Sequence, residues 1–258
     1  QTFVAGFAGK YATLSRTAAL SRQLSIFFKY YIRSILKNGE YHIDGEKKLT
    51  ERNATIVYSG GDDVFIVGAW NEVIELSIDL QEKFKKYTQG TLSISSGIGI
   101  YECTYPIGAI ANETGEMEAE SKRMPEKDSV TLMDDGETHL INELEICDGT
   151  YRWEELYKSV LGEKYDVIQD FLGESDERGM SFLYRMLELI RNQKEKINFA
   201  RFVYLLSRLE PDKEGEKKEK YRKFSRKMYQ WVQSEKDCRE LKTAINLYAY
   251  MHREKGAH

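Results

Sequence analysis

The chain has 258 residues, of which 41% are hydrophobic and 31% charged, so it can form one large domain or two smaller ones with real cores. Its net charge of -4 at pH 7 argues against a protein that coats nucleic acid along its whole surface, although local basic runs can still contact phosphates. The three cysteines are widely spaced and odd in number, so they indicate neither a disulfide framework nor a zinc cluster. Because the chain also lacks an apolar run of about 20 residues, we expect a cytoplasmic protein without a membrane partner.

The first elements predicted along the chain are a long helix and a β-hairpin. Between residues 12 and 36, apolar residues recur at steps of three and four, and Asn38-Gly39 then supplies a stop signal. Residues 54–58 and 64–69 are short β-rich runs joined by Ser59-Gly-Gly-Asp-Asp63, whose glycines permit a tight turn. The sequence therefore predicts a hairpin with an acidic tip.

Four more elements complete the first half of the chain. A second helix is predicted to begin after Asn71 and to end at Gly90, followed by an alternating strand over residues 91–101. Pro106 favours the start of a third helix that runs toward Met124. Residues 130–133 are predicted to form another strand. One further strand before Gln1, whose identity suggests a piece of a longer protein, would complete an α+β palm domain over residues 1–148. Its sheet is expected to be ferredoxin-like and antiparallel, with helices on one face.

The second half, residues 149–258, is predicted to be an all-helical domain. Helical periodicity is found at residues 153–172, 180–191, 199–209, 221–232 and 241–251. The charged stretch 210–220 reads as a solvated linker. A stripe at helical spacing, formed by Tyr221, Phe224, Met228 and Trp231, favours core packing over a nucleotide platform. Nearby basic residues could face RNA or a partner, but a solvated face is favoured.

The candidate chemistry lies at the hairpin tip. Asp62 and Asp63 repel each other unless a cation lies beside them, and Mg²⁺ prefers a few carboxylate oxygens together with water and substrate phosphates. Gly60 and Gly61 would let a triphosphate approach the turn backbone. An ordinary turn also favours Gly and Asp. However, the string Gly-Gly-Asp-Asp is expected by chance in roughly one chain in a few hundred, which favours the functional interpretation.

Two segments resemble a known family. The hairpin Tyr58-Ser-Gly-Gly-Asp-Asp-Val-Phe-Ile66 and the helix Leu20-Ser-Arg-Gln-Leu-Ser-Ile-Phe-Phe28 are similar to the second palm domain of the large subunit of type III CRISPR effector complexes, most of all the type III-A form. In that subunit a C-terminal helical domain follows the palm, so the resemblance covers the whole chain.

This resemblance implies a nucleotidyltransferase that makes cyclic oligoadenylates from ATP with Mg²⁺ or Mn²⁺ when the guide RNA of the complex pairs with target RNA. The implied partners are the other subunits, guide RNA and target RNA. Asp62 and Asp63 match the metal-binding acids, while a further acidic ligand of the family would lie before Gln1. The residues expected to bind the nucleotide are Ser59, Gly60, Gly61, Ser21, Ser25, Lys122 and Lys127.

Several of these assignments have simpler alternatives. Ser21 and Ser25 can be ordinary helix surface or bond to the preceding turn, and an exposed lysine such as Lys122 or Lys127 is usually just solvated. The four histidines show no metal-ligand spacing.

Three competing functions also stay open at this stage. A diguanylate-type cyclase would normally carry Glu at position 63, and a viral-type RNA polymerase would need additional regions. The third is a catalytically silent palm scaffold that docks other subunits and the guide-target duplex.

Overall fold

The computed structural model describes residues 13–45, 49–60, 63–134, 136–173, 178–191 and 196–253. The chain divides into two compact units, Gln1–Met133 and Asp134–His258, which we call the N-terminal and C-terminal units. The domain boundary predicted between residues 148 and 149 stays a prediction. Within the described part of the chain, no helix combines the length and the apolar character that crossing a membrane requires.

The described part of the N-terminal unit contains three helices and four strands, in the predicted order. Helix α1 comprises Leu14–Ile26, a π-helical turn at Phe27–Tyr31, and Ile32–Lys37. The other elements are β1 at Ala54–Gly60, β2 at Asp63–Gly68, α2 at Trp70–Tyr87, β3 at Ser96–Ile98, α3 at Ile107–Ser121 and β4 at Ser129–Leu132.

An aromatic cluster packs α1 against α2. Phe27 lies in the π-helical turn, and its ring centroid is 5.1 Å from those of Phe84 and Tyr87 on α2. Val64 and Ile66 of β2 pack against the same core. Burying aromatic rings and aliphatic side chains together is the main stabilising term here. The hairpin is therefore seated on the core that α1 and α2 share.

Helix α2 begins two residues earlier than predicted. Ala69, not Asn71, occupies the N-cap position and gives no side-chain cap. Glu72, in the first turn, instead accepts a hydrogen bond from the Asn53 backbone N–H at 2.5 Å, which ties the start of α2 to the residue before β1. The helix ends at Tyr87, and Gln89 with φ +52° and Gly90 with φ +72° follow the C-cap residue Thr88 in left-handed conformations. The backbone N–H of Gly90 bonds back to the Lys85 carbonyl, so the predicted glycine takes part in the helix end together with Gln89.

The strand predicted over residues 91–101 is much shorter in the structure. Only Ser96–Ile98 forms β3, although Leu92 and Ile94 still pack against the core of the unit. Apolar alternation specified which side chains are buried but not which residues would find a hydrogen-bonded neighbour. The predicted strand is therefore corrected to its central three residues.

The sheet prediction is confirmed for one pair of strands and corrected for another. Strands β1 and β2 pair antiparallel, from Ala54 opposite Gly68 to Gly60 opposite Asp63. Strands β3 and β4 pair parallel, with Ser96 opposite Val130. The reason is connectivity, because α3 forms a crossover between them and such a crossover returns the chain in the same direction.

A buried ionic cluster holds the segment before β1 against α2. Arg52 has a side chain only 1% exposed, and it contacts Glu75 and, at 2.9 Å, Asp79. Asp79 also accepts the backbone N–H groups of Glu40 and Tyr41, and Glu75 accepts that of Ile43. Burial raises the pKa of Glu75, although the Ile43 N–H and Arg52 oppose that effect. These contacts fix the path of the chain from α1 into the hairpin.

The C-terminal unit is mainly helical, as predicted, but it begins with a β-hairpin. Its strands are β5 at Thr138–Ile141, β6 at Leu144–Cys147 and β7 at Thr150–Arg152. Helix α4 comprises Trp153–Glu155, a π-helical segment Leu156–Tyr165, and Asp166–Leu172. The remaining helices are α5 at Arg178–Arg191, α6 at Lys196–Ser207, α7 at Glu216–Trp231 and α8 at Glu235–Arg253.

Helix α7 settles two predictions about the second half. Its stripe of Tyr221, Phe224, Met228 and Trp231 is buried, which confirms the core interpretation. The helix starts at Glu216, so the predicted linker over residues 210–220 is shorter than expected. The basic residues beside the stripe meet acids of the same unit, in the pairs Arg222–Glu214 at 3.0 Å, Lys223–Asp170 at 3.4 Å and Lys227–Glu163 at 2.6 Å.

Candidate functional site

The tip of the β1–β2 hairpin is the candidate site. Gly60 and Asp63 are opposite each other as the last residue pair of the ladder, so two residues connect the strands. Those two, Gly61 and Asp62, lie outside the described residues. Asp63 opens β2 and is exposed. One member of the predicted acidic pair is thus presented at the end of a paired strand.

The two faces of this hairpin end carry different residues. Directly opposite residues in an antiparallel pair share a face, and faces alternate along each strand. Ser59 is opposite Val64, which packs into the core, so Ser59 lies on the core face. Asp63 and Gly60 therefore lie on the outer face, together with Tyr58, which is opposite Phe65. The hairpin thus separates an anchoring face from an outward acidic face.

Tyr58 lies along the outer face over Gly60. A Cβ atom added to Gly60 would clash with the Tyr58 hydroxyl, although Tyr58 is 58% exposed. Tyr58 was not among the predicted site residues. A signal was available, since Tyr58 lies two residues before Gly60 and so must share its face in a strand. Its hydroxyl adds a hydrogen-bond donor close to the acidic tip.

Ser59 connects the hairpin to α1. Its hydroxyl donates a hydrogen bond of 2.9 Å to the backbone carbonyl of Phe28, within the π-helical turn. The same helix carries Ser21, which is exposed, and Ser25, which is half-buried. The structure therefore brings the hairpin to the helix on which the two predicted base-pocket serines lie. Contact of Ser21, Ser25 or Ser59 with a nucleotide stays a prediction.

The two predicted phosphate-binding lysines lie between α3 and β4. Lys122 follows α3 directly and forms an ion pair of 2.5 Å with Glu118, one helical turn earlier. Lys127 is exposed and has a φ of +52°, and its carbonyl accepts a hydrogen bond from the Ser95 hydroxyl. Both ammonium groups are accessible, but their roles at a nucleotide stay predictions.

The residues at the tip fit a hard divalent cation in their chemistry. Asp63 offers carboxylate oxygens in solvent, and Gly60 opposite it has no side chain to block an approach. No cluster of three or more His, Cys, Asp or Glu residues with metal-binding geometry occurs within the described ranges, which exclude Asp62. That the hairpin supplies part of a metal site stays a prediction.

Comparisons with known proteins agree with this architecture. Residues 1–131 match the family described as Cas10/Cmr2, second palm domain, and residues 169–254 match the second helical domain of the Cmr2 subunit of the CRISPR RNA silencing complex. The fold and the acidic hairpin thus define a palm domain followed by a helical domain. The chain belongs to the Cas10/Cmr2 family, and its relatives are of subtype III-A.

One relative is the single-strand-specific deoxyribonuclease Cas10/Csm1 (subtype III-A) of Mycobacterium tuberculosis. It is 41% identical over 260 residues, which cover 99% of this chain but 30% of that protein. The chain therefore spans about three tenths of that relative's length.

Two solved structures have the same fold. A Csm1-Csm4 cassette in complex with pppApApA has a TM-score of 0.65 and 25% identity over 91% of this chain and 34% of that one. A cassette in complex with AMPPNP has a TM-score of 0.61 and 26% identity over 90% of this chain and 33% of that one.

Proposed function

We propose that this chain is the catalytic palm and adjoining helical domain of a nucleotidyltransferase that joins ATP into cyclic oligoadenylates within a type III CRISPR complex. The observation that carries the proposal is the rigidly seated hairpin that presents Asp63 on its outer face, beside a position without a side chain. The AMPPNP and pppApApA ligands of the two related cassettes support adenine nucleotides as the substrate class.

The roles of the residues follow from their chemistry. Asp62 and Asp63 would hold Mg²⁺ or Mn²⁺ through carboxylate oxygens, and Gly60 and Gly61 would leave room for a triphosphate next to the turn. The bound ions would lower the pKa of the attacking ribose 3′-hydroxyl and stabilise the departing pyrophosphate. Lys122 and Lys127 would act as point charges for phosphate oxygens.

Helix α1 would border the base. The hydroxyls of Ser21 and Ser25 would then hydrogen-bond an adenine edge, and such contacts discriminate strongly when a wrong base leaves buried polar groups unpaired. Activation by target RNA, and the assembly with other subunits and guide RNA, belong to the same proposal. The helical unit would carry the coupling, because an activator needs contacts that differ between the idle and active states.

The test is a product assay on the assembled complex with the full-length subunit. Labelled ATP or GTP is supplied with Mg²⁺ or Mn²⁺, with and without target RNA, and the products are identified by mass spectrometry. We expect cyclic oligoadenylates from ATP only when target RNA and a divalent ion are present. A complex that assembles yet makes no product would favour the scaffold alternative, and cyclic dinucleotides from GTP would favour a diguanylate-type cyclase.

A further inference from the structure

We propose that Ser59 positions the acidic hairpin by bonding it to α1, and that its hydroxyl does not bind the nucleotide. The inference deepens the proposed function, because the residue it assigns acts on the placement of Asp63. It rests on the hydrogen bond from the Ser59 hydroxyl to the Phe28 carbonyl, which joins segments 31 residues apart in the sequence.

The carbonyl that accepts this bond belongs to a firmly packed turn. Phe28 is 5% exposed, and its ring centroid lies 5.2 Å from that of Phe27 and 5.6 Å from that of Phe84. In this turn the Ile32 N–H bonds back to the Phe27 carbonyl, five residues earlier, which is the π-helical pattern. Such turns often occur at functional sites. The anchor for the hairpin is therefore a buried and well-fixed part of α1.

A serine hydroxyl cannot donate its one proton to the Phe28 carbonyl and to a phosphate oxygen at the same time. Serine has one O–H donor, and in this structure the donor is committed to Phe28. Phosphate oxygens are hydrogen-bond acceptors, so a triphosphate would need that same donor. Ser59 also lies on the core face of the hairpin, whereas Asp63 lies on the outer face. Both observations favour a role for Ser59 in supporting the site over direct contact with the nucleotide.

The location of the bond explains why it matters. Ser59 is opposite Val64, one residue pair from the last pair of the ladder, Gly60 and Asp63. A two-stranded hairpin is marginal by itself, so its end needs a contact with the rest of the unit. Small displacements of a catalytic group can lower turnover by two orders of magnitude. Loss of the Ser59 bond should therefore lower turnover more than substrate affinity.

The experiment compares three substitutions at Ser59 with one control in the assembled complex. Ser59→Ala removes the donor, Ser59→Cys keeps a weak one, and Ser59→Thr keeps a full donor on a residue that suits a strand. The control is Ser77→Ala, because the Ser77 hydroxyl also donates to a helix carbonyl, that of Val73 at 2.7 Å, but only within α2. The readouts are kcat and KM for ATP, and hydrogen exchange of the hairpin amides.

We expect Ser59→Ala to lower kcat about tenfold while KM changes less than about twofold, with faster exchange in residues 54–68. Ser59→Thr should restore both readouts, Ser59→Cys should fall between, and Ser77→Ala should change neither. A raised KM at unchanged kcat would instead make Ser59 a nucleotide contact and overturn the inference. Unchanged hairpin exchange in Ser59→Ala would overturn it too. If the wild-type complex makes no product, the proposed function fails, and hydrogen exchange alone still decides the inference.

Discussion

Gly60 and Tyr58 share the outer face of the hairpin with Asp63, and this places a ring hydroxyl beside the candidate metal ligand. The pattern Tyr-x-Gly was visible in the sequence, but the way the ring lies over the glycine depends on the path of the strand. The acidic pair could be singled out from the sequence because like charges at a turn need a chemical reason, and its role as a metal site stays a prediction. The hydrogen bond that the Ser59 hydroxyl donates could not be predicted, since its acceptor is 31 residues away in the sequence.

Gly60→Ala tests whether open space at the tip matters for nucleotide joining. The added methyl would meet the far end of the Tyr58 ring, which can move, so we expect the melting temperature to change by only a few degrees. We expect nucleotide joining to fall tenfold or more, about 1.4 kcal/mol in transition-state stabilisation, because the methyl would lie where a triphosphate approaches. Initial rates of the assembled complex measure the effect.

The control for this prediction is Gly60→Ala combined with Tyr58→Ala. Removal of the ring should not restore the rate, because the methyl and not the displaced ring causes the loss. Recovery of the rate in the double variant would show that the displaced Tyr58 ring causes the loss, which would contradict the prediction that open space at Gly60 is required.

At the scale of elements, amphipathic helices were the most predictable part of the chain. Helices α1, α4, α5 and α6 lie within three residues of their predicted bounds, because apolar spacing indicates which side of a helix is buried. Helices α7 and α8 begin five and six residues earlier than predicted. The β5–β6 hairpin was missed. Its turn residues Asn142 and Glu143 both have positive φ values, yet Glu is not a typical turn residue for that conformation, and Leu140 at 75% exposure and Leu144 blur the alternation.

Ion pairs join the segments flanking the β5–β6 hairpin to α8. Lys242 forms ion pairs with Glu137 at 2.6 Å and Asp148 at 2.8 Å. Arg239 contacts Nε2 of His139, and Nδ1 of His139 lies 3.2 Å from a carboxylate oxygen of Asp148. Partners this far apart in sequence leave no periodic signal, which is why sequence reasoning did not find the cluster.

Asp148→Asn should reveal the contribution of this cluster through its pH dependence. Burial alone would raise the pKa of Asp148, but hydrogen bonds from His139 and Lys242 outweigh it and lower the pKa to about 2. A depressed carboxyl pKa stabilises the fold above the unfolded value of about 4, and that stabilisation is lost as the pH falls toward 2. We expect the variant to be less stable by about 1–2 kcal/mol at pH 6.

Denaturant unfolding at stepped pH measures this difference. The wild-type and variant curves should converge as the pH falls from 4 to 2, since the wild-type carboxylate is then protonated. Glu145→Gln is a suitable control, because Glu145 is an exposed acid of the same hairpin. A wild-type advantage that is constant over the whole pH range would contradict the ionic explanation.

At the scale of the whole molecule, the family matches and the fold both divide the chain into a palm domain and a helical domain. Residues 1–131 match the palm that carries the acidic hairpin, and residues 169–254 match a helical domain. Sequence reasoning reached this architecture because the hairpin motif and the change from mixed to purely helical periodicity are both local signals. The ion pairs of α7 could not be predicted from the sequence. These show that Arg222, Lys223 and Lys227 already have acidic partners within the C-terminal unit.

The most direct measurement is the amount of cyclic oligoadenylate made from labelled ATP by complexes that carry Asp62→Ala together with Asp63→Ala. We predict that this variant assembles normally and makes no detectable product at saturating Mg²⁺ or Mn²⁺, because the hairpin has lost its carboxylate oxygens. A matched complex with Asp44→Ala, an acid outside the hairpin, should keep its activity. Full activity in the Asp62 and Asp63 double variant would contradict the assignment of the hairpin as the metal site.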